Sequence, residues 1–131
     1  MVKQVPFVDY LVLGDDPHLV SRECASCGAL YFDRRNACAR CGSREFGTRG
    51  LSNNGVVRAF TIVHRATPDV RVPYVSAVVD LAGGGMAKAN LVDVEPSPSQ
   101  VRLGMSVTLA TFPIGTDSQG TQAVCFGYRP A

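Results

Sequence analysis

The chain has 131 residues, of which 46% are hydrophobic and 18% are charged, and its formal net charge is +2. This composition excludes a disordered chain, and the near-neutral charge argues against a strong nucleic-acid binder. No apolar run approaches the length of a transmembrane helix. Because residues 1–6 lack the apolar region of a signal peptide, we expect a cytoplasmic protein.

The first twenty residues are mildly apolar and contain Phe7, Tyr10 and Leu11 ahead of a turn signal at residues 14–17. We interpret residues 1–20 as a short ordered arm that forms one helical turn or a strand. An arm of this size cannot bury its own apolar side chains. We therefore expect it to pack on the neighbouring ribbon or to dock on a partner protein.

Four cysteines follow in two matched pairs. Within each pair, two residues separate the cysteines, and a glycine follows the second cysteine. The cysteines are Cys24, Cys27, Cys38 and Cys41, and the glycines are Gly28 and Gly42. Two intervening residues allow both thiolates of one tight turn to reach the same ion, and glycine tolerates the left-handed backbone of such turns. Since four sulfur ligands leave no position for water or substrate, we expect a structural zinc ion.

Other uses of these cysteines fit less well. A disulfide framework needs an oxidising compartment, and a redox dithiol needs one such pair beside a βαβ unit. An iron centre of rubredoxin type uses similar spacing and remains an alternative.

Strands at residues 18–23 and 29–32 flank the first cysteine turn, so we predict a zinc ribbon over residues 21–48. Five arginines surround the second turn, and they indicate either a solvated surface or a contact with an anion or a partner. These residues are Arg34, Arg35, Arg40, Arg44 and Arg49.

From residue 49 onward the pattern is that of β structure, with runs of β-branched residues separated by turn signals. The predicted strands are 56–65, 74–81, 86–93, 106–112 and 122–128, with a glycine hairpin at 83–85 and a polar loop at 114–121. Five strands without an amphipathic helix predict a small closed barrel of OB type over residues 49–131. A β-sandwich is the alternative. The expected fold class is therefore mainly β.

Few residues of this chain suggest catalysis. His64 near a strand end has no motif that places a nucleophile or carboxylate beside it. Cys125 lies in an apolar strand, where a free thiol behaves as a small hydrophobic side chain. The three glycines before Met86 lack the spacing of a phosphate loop and precede a strand.

The order of ribbon and barrel resembles the DUF35 family, small acyl-CoA-associated proteins with a rubredoxin-like zinc ribbon and an OB-fold domain. The resemblance covers nearly the whole chain from about residue 18 onward. The matching segments are 24–28, 32–43, 55–63, 72–74, 89–93 and 103–107. Members of this family often carry prolines where this chain has Asp33, Arg34 and Arg35, so family contacts in this loop transfer poorly.

The resemblance implies a non-catalytic subunit of a thiolase-like enzyme, such as a lipid-transfer-protein-type thiolase or a retro-aldolase. Such a subunit stabilises its partner and shapes the acyl-CoA channel, while the partner holds the nucleophile and the base. Ketoacyl-synthase-like acyltransferases and MaoC-like hydratases are alternative partners. Charge beside the strand ends suggests four residues that contact CoA phosphates. They are Arg58, Arg65, Arg71 and Lys88.

Two other classes of function compete with this interpretation. Zinc ribbons and OB barrels both occur in single-stranded nucleic-acid-binding modules, but the charge and the 8% aromatic content count against one here. A stand-alone enzyme would require Cys125 or His64 to be essential.

Overall fold

The computed structural model describes residues 3–131. The arm predicted over residues 1–20 therefore includes two residues, Met1 and Val2, that lie outside the described residues. All ten regular elements of the described range are strands: β1 (Gln4–Pro6), β2 (Leu11–Val12), β3 (His18–Cys24), β4 (Leu30–Tyr31), β5 (Phe46–Gly50), β6 (Asn54–Val63), β7 (Tyr74–Leu81), β8 (Met86–Leu91), β9 (Ser106–Thr116) and β10 (Gln122–Pro130). Within this range no helix is long and apolar enough to cross a membrane.

Strands β6 to β10 form a closed five-stranded barrel. Their order is β10-β8-β7-β6-β9, and pairing of β9 with β10 closes the circle. The pairs are antiparallel, except that β8 and β10 run parallel where Tyr128 lies opposite Leu91. Register shifts interrupt β6 near Arg58 and β10 near Val124, and such irregularities bend strands so that a barrel can close. The predicted OB-type barrel is confirmed.

The barrel core follows from the two-residue period of its strands. In β7 every second residue is buried, and the buried set continues on the neighbouring strands. Its members are Val57, Val75, Ala77, Val79, Leu81, Ala87, Leu91, Val107, Phe126 and Tyr128. The hairpin at the three glycines is present, with the Leu81 N–H donating to the Gly85 carbonyl at 2.9 Å.

The ribbon is built around β3, which pairs with β2, β4 and β5, all antiparallel. β5 lies opposite Val20 to Cys24 of β3, so the chain leaving the second cysteine turn is bound to the strand that enters the first. A guanidinium links the ribbon to the barrel, because Arg49 donates to the Gly83 carbonyl and pairs with Glu23 at 3.3 Å.

The N-terminal arm contacts both the ribbon and the barrel. β1 lies parallel to β10, with Gln4 to Pro6 opposite Gln122 to Val124. The Tyr10 ring stacks on Phe32 of the ribbon at 4.4 Å and meets the edge of Phe126 of the barrel at 5.9 Å. The arm thus packs on the ribbon and also on the last strand of the barrel.

One local prediction is wrong. Residues 114–121 were expected to form a polar loop, but β9 continues to Thr116, opposite Gln122 of β10. Only residues 117–121 form the turn, in which the Asp117 carboxylate accepts the N–H groups of Gln119 and Thr121. Pairing of Gly115 and Thr116 with Ala123 and Gln122 of β10 outweighs the polar, glycine-containing composition of this segment.

Candidate functional site

The structure brings all four predicted zinc ligands together. The Sγ atoms of Cys24, Cys27, Cys38 and Cys41 lie within 4.8 Å of one another. Across the two turns, the Cys24 and Cys41 sulfurs are 3.5 Å apart and the Cys27 and Cys38 sulfurs are 3.6 Å apart. A disulfide needs about 2.05 Å, whereas a tetrahedron with zinc–sulfur bonds of about 2.3 Å places its sulfurs about 3.8 Å apart. The donor set therefore fits zinc.

Each pair of cysteines sits on a tight turn closed by its glycine. The Gly28 N–H donates to the Cys24 carbonyl at 3.0 Å, and the Gly42 N–H donates to the Cys38 carbonyl at 2.8 Å. Both glycines have a positive φ, 78° and 80°, which a residue with a side chain adopts at a cost. The glycine after each pair is thus explained by the backbone that the turn requires.

Hydrogen bonds around Cys38 favour its thiolate. The Tyr31 hydroxyl lies 3.5 Å from its sulfur, and the Arg40 N–H donates to the same sulfur at 3.4 Å. The hydrogen bond from Tyr31, reinforced by backbone N–H groups, lowers the pKa of Cys38 to about 6. The same hydrogen bond raises the pKa of Tyr31, because the hydroxyl keeps its proton as the donor. Sequence reasoning missed this tyrosine, because no motif links residue 31 to the second cysteine turn.

The four proposed CoA-contact residues are exposed and lie in two places: Arg58 and Lys88 on the strands β6 and β8, and Arg65 and Arg71 in the loop after β6. Arg58 pairs with Asp80 at 3.5 Å, so part of its charge is already compensated. Lys88 of β8 lies opposite Val78 of β7, and Val78 lies opposite Ala59 of β6. Lys88 is therefore in the row of residues next to Arg58. Arg65 and Arg71 follow Val63, the last residue of β6, and Val63 lies about 17 Å along the strand from Arg58.

Among residues 3–131, the cluster of possible metal ligands includes neither histidine and does not include the fifth cysteine. His64 is exposed immediately after β6. The His18 ring nitrogen contacts the Asp16 carbonyl at 2.8 Å. Cys125 is half-buried on β10, opposite Phe112, and its thiol donates to the Phe126 carbonyl at 3.6 Å.

Exposed apolar side chains occur on the three-stranded extension formed by β1, β10 and the end of β9. Val5 lies in the same row as Ala123 and Gly115, and Phe7 directly follows β1. Phe7 is 60% exposed, and Ile114 of β9 is 48% exposed. We call Val5, Phe7 and Ile114 the arm surface.

A separate cleft of about 500 Å³ lies between ribbon and barrel, lined by Leu30, Phe32, Leu51, Arg58 and Met86 among others.

Two family models match the chain in succession. The rubredoxin-like zinc ribbon domain of ChsH2 matches residues 13–47, and the C-terminal OB-fold domain of ChsH2 matches residues 48–112. The first model agrees with the four-thiol cluster, and together they support a structural zinc ion rather than iron or disulfides.

Relatives and a solved structure show similarity over most of the chain. A DUF35 domain-containing scaffold protein of Methanocaldococcus jannaschii is 32% identical, over 85% of this chain and 79% of its own. The benzoylsuccinyl-CoA thiolase subunit BbsA of Geobacter metallireducens is 28% identical, over 88% of this chain and 77% of its own. The solved structure "Ltp2-ChsH2(DUF35) aldolase" aligns with a TM-score of 0.68 and 29% identity, covering 86% of this chain and 84% of that one.

The order of the two domain models, the paired cysteine turns and the closed barrel lead to one conclusion. This chain belongs to the DUF35 family of zinc-ribbon and OB-fold proteins.

Proposed function

We propose that this protein is an accessory subunit of a thiolase-like acyl-CoA enzyme, of the lipid-transfer-protein or retro-aldolase type. The observation that carries the proposal is similarity across both domains to proteins named as a scaffold, as a thiolase subunit and as part of an aldolase complex. In this role the subunit stabilises the enzyme and shapes its acyl-CoA channel. The reacting groups belong to the partner.

The metal centre supports a structural role within this subunit. Cys24, Cys27, Cys38 and Cys41 are the proposed ligands, and four thiolates fill the tetrahedral positions of zinc. Zinc bound here supplies folding free energy to the ribbon and offers no site for a substrate oxygen. The ribbon then holds Phe32 against Tyr10, so the metal centre fixes one side of the arm.

The arm surface is the proposed docking site. Val5 and Phe7 on or next to β1, and Ile114 on β9, are large apolar side chains left exposed on the two sides of β10. Burying them against a partner would remove their apolar area from water. The arm itself is anchored, because the Phe7 N–H donates to the Val124 carbonyl at 2.8 Å. An anchored apolar surface loses little conformational entropy on docking.

Arg58, Arg65, Arg71 and Lys88 remain proposed contacts to CoA phosphates at the shared interface. Their support is that all four side chains are exposed and cationic. We expect alanine at all four positions to weaken CoA binding by the assembled complex. Unchanged CoA affinity of the fourfold variant would remove this assignment and leave the accessory role intact.

The first experiment is an affinity pull-down of the tagged protein from its own host, with mass spectrometry and zinc analysis of the eluate. We expect a co-purifying thiolase-like enzyme and about one zinc per chain, as four thiolates imply. A MaoC-like hydratase or an acyltransferase in the eluate would keep the accessory role and change the partner. Zinc with bound nucleic acid and no enzyme would overturn the proposal in favour of a nucleic-acid-binding module.

A further inference from the structure

The Tyr31 side chain connects the two cysteine turns. Tyr31 ends β4, the short strand that follows the first turn, but its hydroxyl reaches the second turn. The hydroxyl oxygen is 3.5 Å from Cys38 Sγ and 3.2 Å from the Ala39 backbone nitrogen. A single hydroxyl therefore contacts one proposed zinc ligand and the backbone of the next residue.

The direction of these two hydrogen bonds follows from the available protons. The Ala39 N–H donates to the Tyr31 oxygen, which uses a lone pair and leaves the hydroxyl proton unused. A thiolate that binds a metal carries no proton and only accepts. The Tyr31 hydroxyl must then donate to Cys38 Sγ when the site is loaded.

Two neighbouring side chains hold the tyrosine ring. The Arg35 guanidinium lies over the ring, 4.3 Å from its centroid, and the Phe46 ring meets it at 6.2 Å with an interplanar angle of 76°. A cation over the ring face draws electron density from the phenol and strengthens its hydroxyl as a donor. Arg35 is itself placed by Asp33, whose carboxylate is 3.5 Å away.

We propose that Tyr31 is a positioning residue of the metal centre, with Arg35 supporting it. Its hydroxyl fixes the orientation of the Cys38 thiolate and offsets part of the thiolate's negative charge. Both effects favour retention of the metal, because groups that orient metal ligands by hydrogen bonds contribute to metal affinity. Loss of the hydroxyl should also raise the energy of the sulfur electrons that bond the metal.

The test compares Tyr31→Phe with the wild type and with a matched control, Tyr74→Phe, which removes a hydroxyl from β7 of the barrel. Zinc affinity is measured on the full chain by competition with a chromophoric chelator. We expect the zinc affinity of Tyr31→Phe to be about tenfold lower than that of the wild type, at the low end of the range for groups that hydrogen-bond to metal ligands. The zinc affinity of the control should not change. In the cobalt-substituted protein, we expect the sulfur-to-cobalt absorption band of Tyr31→Phe to move to lower energy.

The band position separates this role from simple packing of the ring. If Tyr31→Phe matches the control in both affinity and band position, the proposal is wrong. It is equally wrong if affinity falls while the cobalt band stays in place, because ring packing alone would then explain the loss. Should Tyr31→Phe fail to fold, Arg35→Met decides the question, since it keeps the hydroxyl and removes only the cation. We expect a smaller shift of the band in the same direction, and an unmoved band would overturn the proposal.

Discussion

Replacement of Phe7 by alanine should weaken binding of this subunit to its enzyme. Phe7 is 60% exposed and directly follows β1, where its backbone N–H is bonded to Val124. Alanine keeps that backbone bond and removes the ring. The variant therefore tests the side chain as a contact and not as part of the fold.

The magnitude follows from the exposed area. A phenylalanine offers about 150–250 Å², so a 60% exposed residue leaves about 120 Å² for a partner to cover. At about 25 cal/mol per Å² this is about 3 kcal/mol, of which alanine retains a part. We expect a loss of about 2 kcal/mol, or about a 30-fold rise in Kd.

The assay is isothermal titration calorimetry with the enzyme identified by the pull-down. Leu103→Ala is the matched control, because Leu103 is 67% exposed but belongs to the turn bonded to Val57, at the end of the barrel remote from Gln122. Equal unfolding temperatures of the variants and the wild type confirm that the fold is unchanged. A Kd within twofold of the wild type for Phe7→Ala, or a loss confined to Leu103→Ala, would refute the assignment of the arm surface as the docking site.

Three further predictions concern stability. Removal of zinc by a strong chelator, or the substitution Cys38→Ser, should abolish the protection of backbone amides in β3 to β5 against hydrogen exchange. The amides of β7 should stay protected, because the barrel has its own buried core. Equal loss of protection in both regions would contradict this prediction. Gly127→Ala should cost about 2–3 kcal/mol in urea unfolding, since its new carbon would lie 2.7 Å from the Asn90 carbonyl, whereas Gly115→Ala has open space and should be neutral. Tyr128→Phe should raise the free energy of unfolding by about 1 kcal/mol near neutral pH, because this buried hydroxyl has no hydrogen-bond partner among residues 3–131. Burial raises the pKa of Tyr128 to about 12, above its unfolded value near 10, so the unfolded chain loses this proton first. The free energy of unfolding should therefore fall as the pH rises from about 10 towards 12, and Tyr128→Phe should not show this fall.

The barrel strands were predictable because their apolar residues alternate with the period of the sheet. The prediction for residues 74–81 coincides with β7, in which burial alternates at every residue. The cluster of four cysteine thiols was predictable because the spacing is local: two residues between cysteines and a glycine after them determine each turn.

Other features depend on contacts between distant parts of the chain. β5 was not predicted, since Phe46–Gly50 contains two glycines and no alternation; it forms because the second cysteine turn brings it beside β3. β1 has three exposed residues and exists through its pairing with β10, more than one hundred positions away. The position of Tyr31 likewise depends on how the two turns meet, which spacing alone does not specify.

The pairing of β1 with β10 has a consequence for the order of events during synthesis. β10 is the last of the ten strands to leave the ribosome, and it pairs with β1, β8 and β9. The ribbon, whose contacts are local, can fold as soon as residue 50 has emerged, whereas the barrel and β1 must wait for β10. A nascent chain therefore carries the four-cysteine cluster before β1 has its partner strand, and the surface on which we expect the enzyme to assemble forms only after β10 has been made.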